Sequence, residues 1–427
     1  MKSILKAFVA HTLALLAKAV VEKYRPLIVM VTGSVGKTST KDAAAAVLSS
    51  RYHLRASEKS YNSEFGVPLT IIGAKNPWNN PVEWIRVFRE AFALILLPSH
   101  YPKLLVLEVG ADRPGDLARI LAICKPDAVI VTRLPDVPVH VEAYASPQAV
   151  RDEEFAPAYA LANGAPLIIS ADDPNAVTMA SRLSATITTF GFSEGSDIRL
   201  EGYSFFEDGA ICGMEAVLNV NGVSHTLRVP GALGKSQLYA PAAAIACALS
   251  LDTTLAMALK GAEDYIAPAG RGRIIPGKNG SLLIDDSYNA SPAAVEEALG
   301  ALQLLSQKGR RIAVLGDMLE LGRYSAEEHE RIGILAASLV DVLIAVGVRS
   351  RATANAARKA GMREDRVFAY DTSDEAADML EAVVQEGDVV LVKGSQSIRT
   401  ERIAERLVRN PEDRSKLVRQ ETEWKAR

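Results

Sequence analysis

Cysteine is scarce in this chain: Cys124, Cys212 and Cys247 are the only three in 427 residues, far apart and without metal-ligand spacing. That excludes a disulfide scaffold and a cysteine metal site, and the compartment it fits is a reducing cytoplasm. Charge of one sign is lacking too. Lys and Arg number 48 against 51 Asp and Glu, a formal net charge of -3, so no global field argues for a nucleic-acid partner. A long unbroken apolar run is also missing. The best candidate, Ile4 to Val21, is interrupted by His11 and Lys18, whereas a membrane span needs roughly twenty mostly apolar residues. No small-residue cleavage site follows before Glu22-Lys23-Tyr24-Arg25-Pro26, which argues against a signal peptide. Two readings stay open for this segment: a helix docked on the domain, or an interfacial helix in peripheral contact with a membrane.

What is present is globular. Hydrophobic residues make up 48% and charged residues 23%, and the length suits about two or three domains with real cores. The chain is organised around Val29-Met30-Val31-Thr32-Gly33-Ser34-Val35-Gly36-Lys37-Thr38-Ser39-Thr40. An apolar strand pattern (Leu27 to Val31) enters this loop and an alanine-rich helical pattern (Lys41 to Leu48) leaves it. Two glycines let the backbone curl so that successive N–H groups point at one anion, and the helix N-terminus adds partial positive charge. Gly33, Ser34, Gly36, Lys37, Thr38 and Ser39 are thus the expected phosphate cradle, with Lys37 reaching the terminal phosphates and the Thr38 hydroxyl a magnesium ion. The Gly-x-x-Gly-Lys-Thr spacing is shorter than that of the general P-loop, because position 31 is Val. An ordinary strand-to-helix turn is the plainer alternative.

Glu108 closes another apolar strand pattern, and His140-Val141-Glu142 follows the one at Ala128 to Thr132. Both lie beyond carboxyl ends of strands, the edge where doubly wound sheets bind ligands. A hard oxygen ligand and an imidazole near a phosphate loop suit magnesium or manganese; a salt-bridged Glu and a hydrogen-bonded His are the alternatives. Lys59 to Pro68 reads as a surface loop able to touch ligand, and Val82 to Leu97 as a helix with Trp84, Phe88 and Phe92 at four-residue spacing. From Ile198 to Val229 the period becomes two, with turn signals at Glu207-Asp208-Gly209 and Asn221-Gly222, which predicts a small antiparallel appendage. Linker composition at Ala267 to Arg273 marks a boundary. The predicted organisation is a helix over 1–26, a P-loop α/β unit with a mostly parallel sheet over 27–266, and a Rossmann-like α/β unit over 267–427. The charge-dense stretch Glu401 to Arg427 reads as a solvated helix and tail.

The second unit carries Asp285-Asp286-Ser287-Tyr288-Asn289-Ala290-Ser291-Pro292, then Gly316-Asp317-Met318-Leu319-Glu320-Leu321-Gly322 with His329, then Lys393-Gly394-Ser395. Each begins where a strand pattern stops, so they should share one sheet edge facing the first unit, although paired aspartates there also serve as helix caps. In this order, with the phosphate loop, Glu108, Arg113-Pro114-Gly115-Asp116 and His140, the motifs resemble the Mur ligase superfamily and its D-alanyl-D-alanine-adding branch, over roughly residues 27 to 410. The resemblance implies amide formation in peptidoglycan precursor synthesis, using ATP and Mg2+, with a UDP-N-acetylmuramoyl tripeptide and D-alanyl-D-alanine as substrates and an acyl phosphate between them. It implies that Lys37, His140, Arg271 and Lys393 carry the chemistry. Thr38 and Glu108 would hold one metal ion and His140 a second. Arg271 would reach the phosphates, and Asp285 or Asp286 with Asn289 would contact the nucleotide from the second unit.

Departures from the family pattern are as informative. Only 26 residues stand ahead of the first strand, where the family has a domain that grips the uridine nucleotide. The family's carbamylated lysine, a ligand of the second metal, corresponds to Glu154, which supplies similar charge on a shorter arm. Its His-Asn pair appears as Ser236-Gln237, leaving Gln237 to meet an adenine edge. The segment Lys75 to Lys103 is longer than the family's connection and, with the N-terminal helix, is read as a reduced substrate-side cap touching a membrane or another subunit. Two alternatives stay open: a Mur-like amide ligase on another carboxylate, of polyglutamate or cyanophycin type, and a nucleotide-binding scaffold without ligase activity. No feature of the sequence sets an oligomeric state.

Overall fold

The structure is a computed structural model that describes residues 2–58, 60–78, 80–209, 211–305, 309–421 and 424, with the side chains of 2–5 outside the description. Lys59 of the expected ligand-touching loop and residues 422, 423 and 425–427 of the tail lie outside it. Among the described residues the first sheet has nine strands: β1 (Leu27–Thr32), β2 (Leu54–Ala56), β3 (Leu104–Glu108), β4 (Ala128–Val131), β5 (Pro166–Ser170), β6 (Thr186–Gly191), β7 (Ile198–Asp208), β8 (Ile211–Val220) and β9 (Val223–Pro230). Their spatial order is β2-β3-β1-β4-β5-β6-β7-β8-β9. From β2 through β7 every pairing is parallel, and β7, β8 and β9 form antiparallel hairpins. The unbroken apolar runs of β1, β3 and β4 are what a parallel sheet covered on both faces requires. The antiparallel stretch is continuous with that sheet, because β7 opens beside the end of β6 at Phe190 and Ile198. Asn221 and Gly222, both at positive φ (51° and 80°), make the tight β8–β9 turn.

The alanine-rich patterns form two helices, Lys37–Ser49 and Ser236–Ser250, that pack closely over one face of this sheet. Small side chains permit the approach, and a third helix, Leu255–Glu263, comes so near that a Cβ on Gly261 would stand 2.7 Å from Val47 Cα. On the other side the N-terminal helix Lys2–Tyr24 docks on the unit. Leu13 and Leu16 bury against Leu69, Ile72, Val87 and Ala91, the last two from the helix Pro81–Leu96.

Among the described residues the second sheet has six strands, β10 (Arg273–Pro276), β11 (Leu282–Asp286), β12 (Arg311–Gly316), β13 (Val342–Val346), β14 (Val367–Tyr370) and β15 (Val389–Lys393), in the order β10-β11-β15-β12-β13-β14. Only the edge strand β10 is antiparallel. The tail corrects the sequence reading. Glu401, Ile403, Ala404, Leu407, Leu417, Val418 and Arg419 are buried, because charges that look solvated in the sequence pair with one another: Arg419 meets Glu401 at 3.0 Å.

Candidate functional site

Strand order gathers the motifs before any side chain is considered. β1 lies between β3 and β4, so the phosphate loop, Glu108 and the chain leaving β4 share one edge. In the second sheet β11 and β15 are neighbours in a register that sets Asp286 beside Lys393. The two edges meet at a cleft whose lining includes Gly36, Ser39, Gln237, Arg271, Asp286 and Lys393.

Within the loop, Gly33 and Gly36 take φ of 115° and 91°, and a Cβ on Gly33 would collide with Thr132 Oγ1. The amides of Ser34 and Val35 donate to Arg133 O at 2.9 and 3.4 Å. They tie the loop to the end of β4 and do not turn to a common anion, which corrects the sequence expectation for Ser34. The amides left without an intrahelical acceptor are those of the helix's first turn, Lys37 to Ser39, and they are the ones suited to an anion. Lys37 Nζ donates to Gly33 O and, at 3.4 Å, to Ser34 O, so its ammonium sits over the loop.

Thr38 is the hub. Its Oγ1 donates to Glu108 Oε1 at 3.1 Å, lies 3.1 Å from Ser60 Oγ, and accepts from Arg271 Nη2 at 3.4 Å. Glu108 is buried, and its Oε2 has no hydrogen-bond partner among the described residues. Burial pushes its carboxyl above the ordinary range, against the opposing charges of Lys41, Lys37 and Arg271. A buried, unpartnered carboxylate oxygen beside a threonine hydroxyl suits a divalent cation, so Thr38 and Glu108 fit one metal ion.

His140 and Glu154 are not drawn into that cluster. His140 has Nδ1 2.8 Å from Glu320 Oε2 and Nε2 3.4 Å from Asp112 Oδ1, while Glu154 Oε2 accepts from Ser34 Oγ at 2.5 Å. Among the described residues no group of three His, Cys, Asp or Glu is arranged to hold a metal ion. A second metal held by His140 and Glu154 does not fit this arrangement, since both ring nitrogens face other carboxylates and Glu154 is buried beneath the loop.

From the second unit, buried Lys393 donates to Asp286 Oδ2 at 2.6 Å and Asn289 O at 3.1 Å. Of the two aspartates, Asp286 lines the cleft and Asp285 lies beneath it. Asp285 Oδ1 accepts from the Ser287 amide and hydroxyl, Oδ2 has no partner among the described residues, and burial pushes the carboxyl up to about 6. Asn289 spends its Oδ1 on the Ala290 amide at 2.9 Å. Gln237 Nε2 donates to Arg271 O at 2.9 Å, leaving Oε1 buried without a partner among the described residues. Arg271 spans the units, its guanidinium 4.1 Å from the Tyr288 ring centroid as well as bonded to Thr38.

The Gly-Asp-Met segment is structural. Asp317 accepts from Ser350 N and Oγ, both at 2.7 Å. His329 Nε2 accepts from Met318 N at 3.0 Å while Nδ1 lies 2.6 Å from Ser325 O, the pattern of a neutral ring protonated at Nδ1; burial lowers its pKa accordingly. Ser60 comes from the loop expected to touch ligand, whereas sequence reasoning missed Lys41 and Arg419. Buried Lys41 donates to Ser57 O at 2.8 Å and is the foremost charge opposing the burial of Glu108. Its position one helical turn after Lys37 was the available signal. Arg419 gave none.

A strand-loop-helix turn of P-loop type in one α/β unit, faced by a lysine and a carboxylate from a second, defines a two-domain P-loop α/β protein. The chain belongs to the Mur ligase family: residues 31–248 match the Mur ligase middle domain and residues 270–396 the Mur ligase glutamate ligase domain. It is 27% identical over 400 residues to the UDP-N-acetylmuramoyl-tripeptide-D-alanyl-D-alanine ligase of Bacillus subtilis, covering 93% of this chain and 79% of that one. Identity to the protein of that name in Synechocystis is 30% over 378 residues, covering 87% and 72%. The fold is similar to that of the MurF ligase from Thermotoga maritima in complex with ADP, with a TM-score of 0.76 at 26% identity over 93% of this chain and 83% of that one.

Proposed function

We propose that this protein is an ATP-dependent ligase that joins the terminal carboxylate of a UDP-N-acetylmuramoyl tripeptide to the amine of D-alanyl-D-alanine, a step of peptidoglycan precursor synthesis in the cytoplasm. The observation that carries this reading is the position of Arg271, which touches Thr38 of the phosphate loop at 3.4 Å and the Tyr288 ring of the second unit at 4.1 Å. The names of the relatives support the substrate class.

In this reading the bond from the γ-phosphorus to the β–γ bridging oxygen breaks, a substrate carboxylate oxygen takes the phosphoryl group, and ADP leaves. The amine nitrogen then attacks the carbonyl carbon and loses a proton as the C–O bond to phosphate breaks. The amides of Lys37 to Ser39, the Lys37 ammonium and Arg271 offset charge on the phosphates. Lys393, held by Asp286 and Asn289, sets a cation opposite the loop, where the substrate carboxylate would otherwise be repelled by the phosphates. Gln237 Oε1, without a partner among the described residues, is an acceptor for a nucleobase amino group. Thr38 and Glu108 would hold Mg2+, which supplies further charge neutralisation at the phosphates when bound. Closing the cleft between the units keeps water from the acyl phosphate.

Phosphate release from ATP, scored with UDP-muramyl peptides and with D-alanyl-D-alanine separately and together, tests the proposal. Release that requires both substrates is expected. Release with a polyglutamate or cyanophycin-type carboxylate instead would reassign the substrate. ATP binding without turnover under every condition would leave a scaffold.

A further inference from the structure

The layer made by the N-terminal helix and the Pro81–Leu96 helix differs in chemistry from the rest of the chain. Residues 1–26 and 73–103 carry nine Lys and Arg against three Glu, in a protein whose formal net charge is -3. Each of these cations with a described side chain is exposed. Large apolar side chains are exposed among them: Val82, Ile85 and Leu96 at 69%, 68% and 75%, with Phe92 on the same outward face beside Arg86 and Arg89. Phe8 and Leu15 are exposed on the neighbouring helix.

The inner faces are already committed to protein, through Leu13 and Leu16 on one helix and Val87 and Ala91 on the other. Lys23 Nζ donates to the carbonyls of Leu94, Ile95 and Leu97 at 2.7, 3.1 and 2.7 Å, capping the second helix with the end of the first. The outward apolar groups are therefore displayed by a fixed pair of helices. No helix among the described residues is long and apolar enough to cross a membrane. An apolar face ringed by cations on a helix that cannot span matches the chemistry of the headgroup–acyl boundary.

We propose that this layer docks the protein peripherally on an anionic lipid bilayer, with Ile85, Phe92 and Leu96 entering the boundary and Lys6, Lys18 and Arg89 facing the headgroups. The layer's excess of cations would be set against itself in a twofold contact with a second copy of this protein, which favours an anionic lipid surface as the occupant. Neither term suffices alone, because the electrostatic part is screened beyond about 10 Å at ordinary salt and the apolar part is small.

The test is flotation of the full chain with vesicles of equimolar phosphatidylcholine and phosphatidylglycerol, or of phosphatidylcholine alone, at low and high salt. Recovery with the anionic vesicles at low salt is expected, with loss on neutral vesicles or in high salt. Phe92→Ser with Leu96→Ser, and separately Arg89→Glu, should each lower partitioning at least roughly tenfold while leaving the melting temperature and ATP-dependent phosphate release unchanged. A wild-type chain that stays at the bottom of the gradient overturns the proposal, as does equal flotation of the wild type and the Phe92→Ser/Leu96→Ser variant. Concentration-dependent dimerisation in sedimentation, abolished by those substitutions and without vesicle recovery, would assign the face to a second copy.

Discussion

Arg419 donates from Nη1 to Glu401 Oε2 at 3.0 Å and to Ser287 O at 3.2 Å, both members of the ion pair being buried. Its Nη2 reaches Tyr288 O, and its guanidinium lies 5.4 Å from the ring that Arg271 approaches at 4.1 Å. The end of the chain thus holds the loop on which the cleft-spanning arginine rests. Arg419→Ala would leave buried Glu401 with Arg399 as its one ion-pair partner among the described residues, and breaking a buried pair from one side costs about 3 kcal/mol. Urea unfolding should show that loss, and replacing both partners with apolar residues (Arg419→Met, Glu401→Leu) should recover most of it. An unchanged urea midpoint in Arg419→Ala would mean that the tail does not brace the loop.

Lys37 donates hydrogen bonds to carbonyls of its own loop, Gly33 O and Ser34 O, and its charge also opposes the burial of Glu108 and Glu154, so its removal breaks no ion pair but takes one cation from beside those two carboxylates. Lys37→Ala should fold normally by circular dichroism. Phosphate release should fall by at least roughly a hundredfold, the loss typical when a preorganised charge at a developing anion is deleted. Retained turnover would remove Lys37 from the site.

Much of this arrangement was legible in the sequence. Continuous apolar runs gave the central strands, and the glycine pattern between a strand and an alanine-rich helix gave the strand-loop-helix turn at Gly33 to Thr40. What was not legible depends on contacts between distant segments. Asp285 and Asp286 look alike in the sequence, yet strand alternation turns one into the interior and the other beside Lys393. His140 read as a metal ligand because it follows a strand end, but the residue it faces, Glu320, is 180 positions away in the loop after β12 of the second sheet. Arg419 read as solvated, because local charge density says nothing about a carboxylate buried eighteen residues earlier.

The His140–Glu320 contact joins the two units and should make their closure pH-dependent. Burial opposes protonation of His140, but the hydrogen bond and charge of Glu320, with Asp112, outweigh it and raise the pKa above 6.5. The Glu320 carboxyl is held below 4.5, chiefly by the hydrogen bond to His140. The raised His140 contributes stability that is present below 6.5 and lost as pH rises through its folded pKa; the lowered Glu320 contributes stability present above 4.5 and lost as pH falls through its folded value. The pair is therefore strongest between these limits. Small-angle scattering without nucleotide should show the most compact particle there and expansion at higher pH, and Glu320→Gln should flatten the profile. A particle size that ignores both pH and the substitution would mean that the contact does not govern closure.

Asp285 gives the opposite kind of pH dependence, one that opposes folding at neutral pH. Its carboxyl is buried and pushed up to about 6 by that burial, only partly offset by the hydrogen bonds from Ser287. A folded pKa above the unfolded value means stability that is fully present below 3.8 and is lost as pH rises through about 6. The span between these values corresponds to about 3 kcal/mol. Asp285→Asn keeps an oxygen for Ser287 and places an uncharged amide where Oδ2 now has no partner among the described residues. The variant should match the wild type near about pH 4 and exceed it near about pH 8, where the wild type carries a buried charge. Taking the difference between the two unfolding free energies at each pH cancels the titration of every other group. A difference that stays flat across the range would mean that Asp285 ionises at its ordinary value and is not sealed beneath the cleft.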